Sequence, residues 1–309
     1  MKKFLSLLLI FVALATGLVA CSKKPADYEL AIGVVVGENL AGKKITETVA
    51  AIVTDKDGKI VLCRLDSVTY EAKYDDNGAL KTTVPTSNVA QGDDYDKYSP
   101  MPAGSWYKQG AALEKYVIGK TQTEVAAIAL EGGKATDAEL KAGCSIGISD
   151  LLKAIDNAFK SAHKVAFKAT ADTFTAGLSV TGSVKDTAAN DVKNAKYTAN
   201  FSATVLADGK VVAAIIDTAE AELKGITDGG AASLSFAGTK RVQGDDYDKY
   251  SPMPGGRWYA QADAFAATAI GKTAADIATL ATEGVAGCTM TYSPAEFKAG
   301  IEAAVKAAR

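Results

Sequence analysis

The sequence predicts an α+β protein made of two tandem repeats, each an antiparallel sheet followed by about three helices. Three observations lead to this fold class. The twelve-residue string QGDDYDKYSPMP occurs unchanged at residues 91–102 and 243–254. In each copy, segments with alternating apolar residues precede the string and segments with helix-capping signals follow it. Strands first and helices afterwards is the order typical of α+β domains.

Residues 1–20 have the pattern of a secretory signal peptide, with two lysines followed by an uninterrupted apolar run. The run ends in the letters LVAC, which resembles the lipobox of bacterial lipoproteins. The resemblance implies that the Cys21 thiol carries diacylglycerol and that acyl chains, palmitate among them, hold the protein on a membrane. An ordinary signal peptide with an incidental cysteine is the alternative. We expect a lipid anchor on the extracytoplasmic face of the cell membrane or outer envelope, with residues 21–27 as a linker.

Charge and length limit what the mature chain can be. Loss of Lys2 and Lys3 with the signal takes the formal charge from −2 to −4. A chain without a strongly basic face is a poor match for nucleic acid, so we predict no such partner. The rest of the chain suits two domains of ordinary size, predicted as repeat 1 at 28–163 and repeat 2 at 164–309.

Few residues are available for metal or thiol chemistry. Cys63, Cys144 and Cys288 remain after Cys21, and an odd count argues against a disulfide framework, although one bridge stays open. The single histidine, His163, is interpreted as a solvated residue at a helix end. If this one histidine is a solvated surface residue, none is left for histidine-based metal sites or Ser/His/Asp triads. We therefore predict no metal centre and no stand-alone hydrolase.

Each repeat opens with strands. In the second copy, residues 197–205 alternate strictly between apolar and polar, which predicts a half-buried strand. Asp208-Gly209 supplies the positive φ angles of a tight hairpin turn, and the chain returns along 210–217. The first copy repeats this plan at 49–53, Asp57-Gly58 and 59–66, and further strands are predicted at 28–36, 70–74, 165–181 and 234–236.

Helices follow the strands. Ser105 precedes a helix predicted at 106–117, and Thr121 with Glu124 forms a capping box for a helix at 122–130. The remaining signals are Ser149 before a helix at 150–162, Thr273 with Asp276, and Ser293-Pro294, where proline suits a first helical position. Residues 131–141 exceed their counterpart 282–285 in length and are predicted to form a loop.

The repeated string concentrates acids and tyrosines. Its simplest interpretation is a structural loop with solvated acids that leads into the tryptophan helix. A ligand-facing role is the alternative, because aromatic rings can flank a planar ligand; its candidates are Tyr95, Tyr98, Trp106, Tyr247, Tyr250 and Trp258. An EF-hand is excluded because no glutamate closes the loop, and an irregular cation site would use Asp93, Asp94 and Asp96.

A second repeated feature precedes the last helix of each copy, Gly143-Cys144-Ser145 and Gly287-Cys288-Thr289. Glycine beside a hydroxyl lets a backbone approach a phosphate closely. A structural turn is the default interpretation, and a disulfide between the two cysteines is a further one.

These features together resemble the FMN-binding domain of exported bacterial flavoproteins. The shared features are the strand ending in Asp-Gly-Lys, the return strand ending near an aspartate, and the Gly-small-hydroxyl triplet before a terminal helix. Family members are α+β domains, and many carry FMN through a phosphoester at Asp-x-x-Ser/Thr-Gly-Ala-Thr/Ser. In this chain, Glu139 and Glu283 stand where the family motif has aspartate. Alanine replaces the motif's first Ser/Thr in both copies, and cysteine replaces its alanine. The resemblance implies FMN, covalent or non-covalent, at Thr289 and Ser145, with Gly287 and Gly143 beside it.

Two functions follow. The first is a membrane-anchored electron carrier that holds FMN and exchanges electrons with a membrane redox partner. The alternative is a non-catalytic binding or structural surface lipoprotein that keeps the fold without flavin and contacts, at most, a small ligand.

Overall fold

The computed structural model describes residues 25–97, 101–170, 174–188, 192–250, 255–290 and 294–309. The protein is α+β, as the sequence predicts, with two four-stranded antiparallel sheets and one two-stranded sheet among the described residues. The signal region, Cys21, Tyr98, Ser293 and the side chain of Tyr250 lie outside the described part. Within that part, no helix is both long and apolar enough to cross a bilayer.

The strands are β1 (Ala26–Asn39), β2 (Lys44–Asp55), β3 (Ile60–Glu71), β4 (Leu130–Glu131), β5 (Lys134–Ala135), β6 (Val165–Ala169), β7 (Phe174–Asp186), β8 (Lys193–Ala207), β9 (Lys210–Ile226) and β10 (Ser233–Ser235). The first large sheet has the order β3-β2-β1-β6 and the second β10-β9-β8-β7. The small sheet pairs β4 with β5.

The described helices are α1 (Asn88–Gln91), α2 (Trp106–Val117), α3 (Gln122–Ala126), α4 (Ala138–Gly143), α5 (Ser149–Lys160), α6 (Lys240–Gln243), α7 (Asp245–Tyr250), α8 (Trp258–Ala267), α9 (Ala274–Ile277) and α10 (Pro294–Lys306). A 3-10 helix, Gly92–Lys97, follows α1.

The two large sheets pack face to face, and helices cover their outer faces. Leu30, Phe201 and Ile215 belong to the buried cluster between the sheets. A second cluster joins β2 and β3 to α2 and α5, and a third joins β9 to α8 and α10. The order of layers is therefore helices, sheet, sheet, helices. Each fully buried large apolar side chain contributes about 1.5 to 3 kcal/mol to the stability of the folded chain.

Two glycines let the long helices approach the sheets. A Cβ on Gly33 of β1 would lie 2.1 Å from the carbonyl oxygen of Ala154 in α5. A Cβ on Gly177 of β7 would lie 1.8 Å from the carbonyl oxygen of Ala304 in α10. Any larger residue at either position would push a helix off its sheet.

The segment predicted as one strand at 165–181 forms two strands in different sheets. β6 pairs with β1 from Ala26↔Ala169 to Leu30↔Val165, whereas β7 pairs with β8. The strand after the predicted boundary at 163 therefore completes the first sheet. The predicted linker at 21–27 is also too long, because β1 begins at Ala26.

Several local predictions are confirmed. Asp208 and Gly209 have φ angles of 49° and 73°, as the tight β8–β9 turn requires. The helix at 106–117 is α2, and both capping boxes, at Thr121 and Thr273, are present. Pro294 begins α10.

Other local predictions are wrong. β3 continues to Glu71, so Tyr74 forms only an isolated bridge with Leu80 and no separate strand. The helix predicted at 122–130 ends at Ala126. The predicted loop at 131–141 instead contains β5 and most of α4. Asp137 caps the start of α4, since its side chain accepts from Leu140 N. The strand at 197–205 is not half-buried, since α10 covers its polar face and leaves Thr204 fully buried.

Candidate functional site

The first triplet is tied to a buried glutamine. Gln109 of α2 is fully buried, and its Oε1 accepts from Ser145 N at 2.7 Å and from Ser145 Oγ at 3.1 Å. The same oxygen accepts from Ile146 N at 3.2 Å, and Gln109 Nε2 donates to Gly104 O at 2.6 Å. One side chain thus fastens the triplet to the residues before α2.

The second triplet has the same arrangement. Gln261 Oε1 accepts from Thr289 N at 2.8 Å and from Thr289 Oγ1 at 3.1 Å. Gln261 Nε2 donates to Gly256 O at 2.8 Å. Thr289 is exposed, whereas Ser145 is half-buried. The sequence shows Gln109 and Gln261 at matching positions, but nothing in it indicates that they bind the triplets.

The glycines of the triplets serve packing. A Cβ on Gly143 would lie 3.0 Å from the Cβ of Ala112, and one on Gly287 would lie 3.1 Å from the Cβ of Ala264. Gly287 also has a φ angle of 77°, which side chains rarely adopt. Both glycines therefore have a structural reason to be present before any phosphate is considered.

The disulfide between the triplets, which the sequence left open as an alternative, is absent. Cys144 is a free thiol, buried beneath α2, and Cys288 is free and half-buried. Burial raises the pKa of the Cys144 thiol, which keeps it protonated and unreactive. Cys63 is likewise free and buried, and burial raises its pKa strongly.

The acids of the repeated string hold the start of the tryptophan helices. Asp93 Oδ1 and Asp96 Oδ2 each accept from Ser105 Oγ at 2.7 Å, so Ser105 does not cap α2 with its own side chain. Asp248 accepts from Trp258 N at 3.3 Å and is only 6% exposed. The prediction of solvated acids is therefore wrong for Asp248. Among the described residues, no three His, Cys, Asp or Glu side chains are placed to hold a metal ion.

The two tryptophans are mainly core residues. Trp258 is 2% exposed and meets Phe297 edge-on, with ring centroids 5.9 Å apart. Trp106 is 7% exposed and packs in the cluster beneath α2. Tyr95 and Tyr247 are half-buried against the corresponding clusters. Of these four aromatic candidates, Tyr95 and Trp106 border the same cavity.

That cavity, here called the Tyr95 cavity, has a volume of about 310 Å³ and lies between the first sheet and its helices. Its wall is rich in hydroxyls, because Thr46 pairs with Thr69 at 3.0 Å and Thr48 with Ser67 at 3.2 Å across β2 and β3. The remaining lining residues are Asn88, Tyr95, Trp106, Gly147, Ser149, Asp150 and Leu151. The aromatic loop and the segment after the first triplet thus meet at one polar cavity.

At the matching positions of the second sheet, a glutamate and an asparagine replace two of the four hydroxyl residues. By register, the pairs Thr46↔Thr69 and Thr48↔Ser67 correspond to Thr198↔Glu220 and Asn200↔Thr218.

Glu220 binds Lys196 and also Lys240, whose Nζ lies 2.9 Å away and 4.8 Å from the ring centre of Tyr247. Asn200 donates to Glu296 of α10 at 3.0 Å. Burial acts to raise the pKa of Glu220, but the ammonium groups of Lys240 and Lys196 lower it overall. An ion-paired glutamate and a hydrogen-bonded asparagine therefore stand at the positions that Thr69 and Thr48 have in the Tyr95 cavity.

Thr289 borders a different cavity, of about 320 Å³. Gly284, Val285, Cys288 and Met290 also line it, whereas Tyr247 and Trp258 do not. Among the described residues, Thr289 therefore does not share a cavity with Tyr247 or Trp258.

The hydroxyl wall was missed in the sequence. Thr46 and Thr48 lie two residues apart on one strand, and Ser67 and Thr69 do the same on its neighbour. This spacing places all four on one face once the register of the hairpin is known.

No protein-family model matches the chain, and no curated protein or solved structure matches it.

Proposed function

We propose that this chain is a lipid-anchored, extracytoplasmic protein of two FMN-binding-like repeats, whose first repeat holds FMN non-covalently in the Tyr95 cavity. The observation that carries the proposal is the meeting of Tyr95 and Trp106 with four sheet hydroxyls in a cavity of about 310 Å³. Cavities that bind small molecules begin at about 300 Å³. The anchor rests on the LVAC pattern that ends at Cys21.

Shared local structure supports the two-repeat arrangement. Gln109 and Gln261 bind their triplets in the same way, and the IGKT strings at 118–121 and 270–273 make the same contacts. In these strings the glycine N–H donates to Ile60 O in one case and to Val211 O in the other. Tandem copies of one domain account for all of these pairs.

The residues of the cavity suit a planar ligand with polar edges. Tyr95 offers a half-buried ring for offset stacking, which contributes about 0.5 to 1.5 kcal/mol. The hydroxyls of Thr48 and Ser67, together with the Asn88 amide, supply donors and acceptors for ring heteroatoms or ribityl oxygens. When bound, FMN supplies one- and two-electron transfer, and the protein acts as an electron carrier for a membrane redox partner.

Free FMN should bind to the mature protein, and its fluorescence should be quenched on binding. Tyr95→Ala is expected to weaken FMN binding about twofold to tenfold, because it removes the stacking face. Tyr247→Ala is the matched control, since Tyr247 lies against Lys240. Fluorescence titration of both variants measures the effect. If the two variants bound FMN with equal affinity, FMN would not bind in the Tyr95 cavity.

Covalent attachment is not expected. The oxygen that would form a phosphoester at Ser145 or Thr289 donates its proton to a buried glutamine, and Ser145 is half-buried as well. Protein made in a host with a flavin-attaching enzyme should therefore show an intact mass without an FMN adduct. An adduct that disappears in Thr289→Ala but persists in Ser145→Ala would instead place FMN at the exposed threonine.

The second candidate is a binding or structural lipoprotein without flavin. The Glu220–Lys240 ion pair favours it, because the second copy no longer has an open hydroxyl wall. This candidate predicts no FMN quenching in either the native protein or its variants.

A further inference from the structure

A larger cavity lies between the two sheets, at the edge where β1 faces β9. Its volume is about 510 Å³, well within the range of small-molecule sites. Ile32 and Val34 of β1 form one wall, and Phe236 and Arg241 from the chain after β10 form another. We call it the interlayer cavity. None of its lining residues borders the Tyr95 cavity or the cavity beside Thr289.

The opposite edge of the same two sheets is filled. There Arg64 of β3 donates through Nε to Ala176 O of β7 at 2.9 Å. Arg64 also lies 3.4 Å from Glu114, which binds Arg309 at 2.9 Å. Packing two sheets therefore does not by itself leave a cavity at the edge, and the interlayer cavity is a particular feature of the β1–β9 side.

The floor and mouth of the interlayer cavity are apolar. Ile32 is buried, Val34 and Phe236 are half-buried, and all three pack in or against the cluster between the sheets. Val242 stands at the mouth with 77% of its surface exposed, the largest exposure among the described large apolar side chains. A ligand with an apolar body would cover these surfaces.

Basic side chains predominate in the lining. Lys160 ends α5, His163 follows it, and Arg241 comes from α6. Asp217 is the acid of the lining, and its Oδ1 already accepts from Thr218 N at 2.8 Å and from Arg241 N at 3.2 Å. The lining itself therefore has more basic than acidic side chains, and Lys160 and Arg241 pair with Asp156 and Asp263 outside it. Asp217 has little capacity left for a ligand.

Two of these basic groups are held in place. Arg241 Nε donates to Ile216 O and its Nη2 to Asp263, both at 2.5 Å. The ring of His163 packs against that of Tyr259, with centroids 4.4 Å apart. His163 is thus half-buried beyond the end of α5 and is not the solvated helix-end residue that the sequence predicts. Fixed donors cost little to order when a ligand binds.

We infer that the interlayer cavity binds a small organic anion, a carboxylate or sulfonate on an aromatic or branched apolar body. The apolar body lies on Phe236 and Ile32, and the anionic group lies toward Lys160 and Arg241. This site is separate from the proposed FMN site and does not depend on it.

Two dyes with one apolar skeleton test the inference. The mature protein is titrated with 8-anilino-1-naphthalenesulfonate and with N-phenyl-1-naphthylamine, which lacks the sulfonate. Lys160→Glu should weaken the sulfonate dye about tenfold and leave the neutral dye nearly unchanged, and Phe236→Ala should weaken both. Lys306→Glu is the matched control, because Lys306 pairs with Glu302 on α10 as Lys160 pairs with Asp156 on α5.

We expect one saturable dye site per chain, with FMN affinity unchanged in Lys160→Glu. The inference is overturned if the sulfonate dye does not saturate, or if Lys160→Glu and Lys306→Glu bind it equally well. It is also overturned if both dyes respond equally to Lys160→Glu, since the cavity would then not select an anion. Phe236→Ala need not fold for the test to succeed, because the two lysine variants decide it.

Discussion

Replacing Glu114 with leucine is expected to lower the free energy of unfolding by about 3 to 5 kcal/mol, the usual cost of removing one partner from a buried ion pair. The Glu114 side chain is 6% exposed, and its Oε1 accepts from Leu65 N at 2.9 Å. Its carboxylate also faces Arg64 and binds Arg309. Leucine would leave the Leu65 N–H without its acceptor and the Arg64 charge without its counterion.

The charge left behind sets the size of this effect. Arg64 is 9% exposed, and burial lowers the pKa of its guanidinium, which shows that the site disfavours the cation. Its donors reach Cys63 O at 2.6 Å, Ala176 O, and the carbonyl oxygen of Arg309. The carbonyls of Cys63 and Ala176 orient the guanidinium but do not neutralise it. Because Ala176 belongs to the second sheet, the cluster also helps to join the two sheets.

Urea unfolding of four proteins isolates the ion pair. They are the native protein, Glu114→Leu, Arg64→Met and the double variant. The double variant should recover most of the loss, since no buried charge remains. Arg309→Ala is the control, and it should cost at most about 1 kcal/mol because its side chain is 45% exposed. A double variant no more stable than Glu114→Leu would show that lost packing, not the unpaired charge, causes the effect.

The features that the sequence predicts correctly are local. Two adjacent residues determine the Asp208-Gly209 turn, and four determine the capping box from Thr121 to Glu124. The bounds predicted for α2 are those observed, although the Ser105 side chain that marked its start does not cap it. None of these features depends on which other segment packs nearby.

The features that it misses depend on distant partners. β6 joins the first sheet because β1 offers it a free edge, and no property of 165–169 itself indicates that choice. Gln109 binds a triplet 36 residues away. The alternation at 197–205 is real, but α10 buries the polar face as well. The sequence therefore shows that Ser145 and Tyr95 belong to repeated features. It does not show which side chains surround them in the fold.

The candidate site shows the same division. The sequence picked out Tyr95 and Trp106 by their repetition, and these two residues do border the Tyr95 cavity. It assigned the same role to Tyr247 and Trp258, where Lys240 lies instead at the tyrosine ring. Identical strings can therefore have different surroundings, because those surroundings come from strands whose sequences have diverged.

Replacing Glu47 with leucine is expected to remove a pH dependence of stability that is unusual for a carboxyl group. Glu47 of β2 is fully buried between the sheets, and neither carboxylate oxygen has a hydrogen-bond partner among the described residues. Burial raises its pKa from the usual 4.5 to about 8. The nearby Tyr70 hydroxyl is also without a partner, and burial followed by the Glu47 charge raises its pKa as well.

The sign follows from proton binding. Between pH 4.5 and about 8, the folded chain keeps a proton on Glu47 that the unfolded chain has released. The stability associated with this group is therefore fully present below pH 4.5 and is lost as the pH rises toward 8. At about 1.4 kcal/mol per pH unit over about 3.5 pH units, the full loss is on the order of 5 kcal/mol. Leucine has no proton to release, so Glu47→Leu should unfold with a flatter pH profile and should exceed the native protein in stability at pH 8.

Urea unfolding at pH 5, 6, 7 and 8 measures the two slopes, and a range that ends at pH 8 keeps Tyr70 protonated in both proteins. Glu38→Gln is the control, because Glu38 lies exposed near the end of β1 and should leave the native slope unchanged. If Glu47→Leu kept the native slope, the carboxyl would have to be ionised and solvated in the folded chain. The space between the sheets would then have to admit water, and the fully buried position of Glu47 would be wrong.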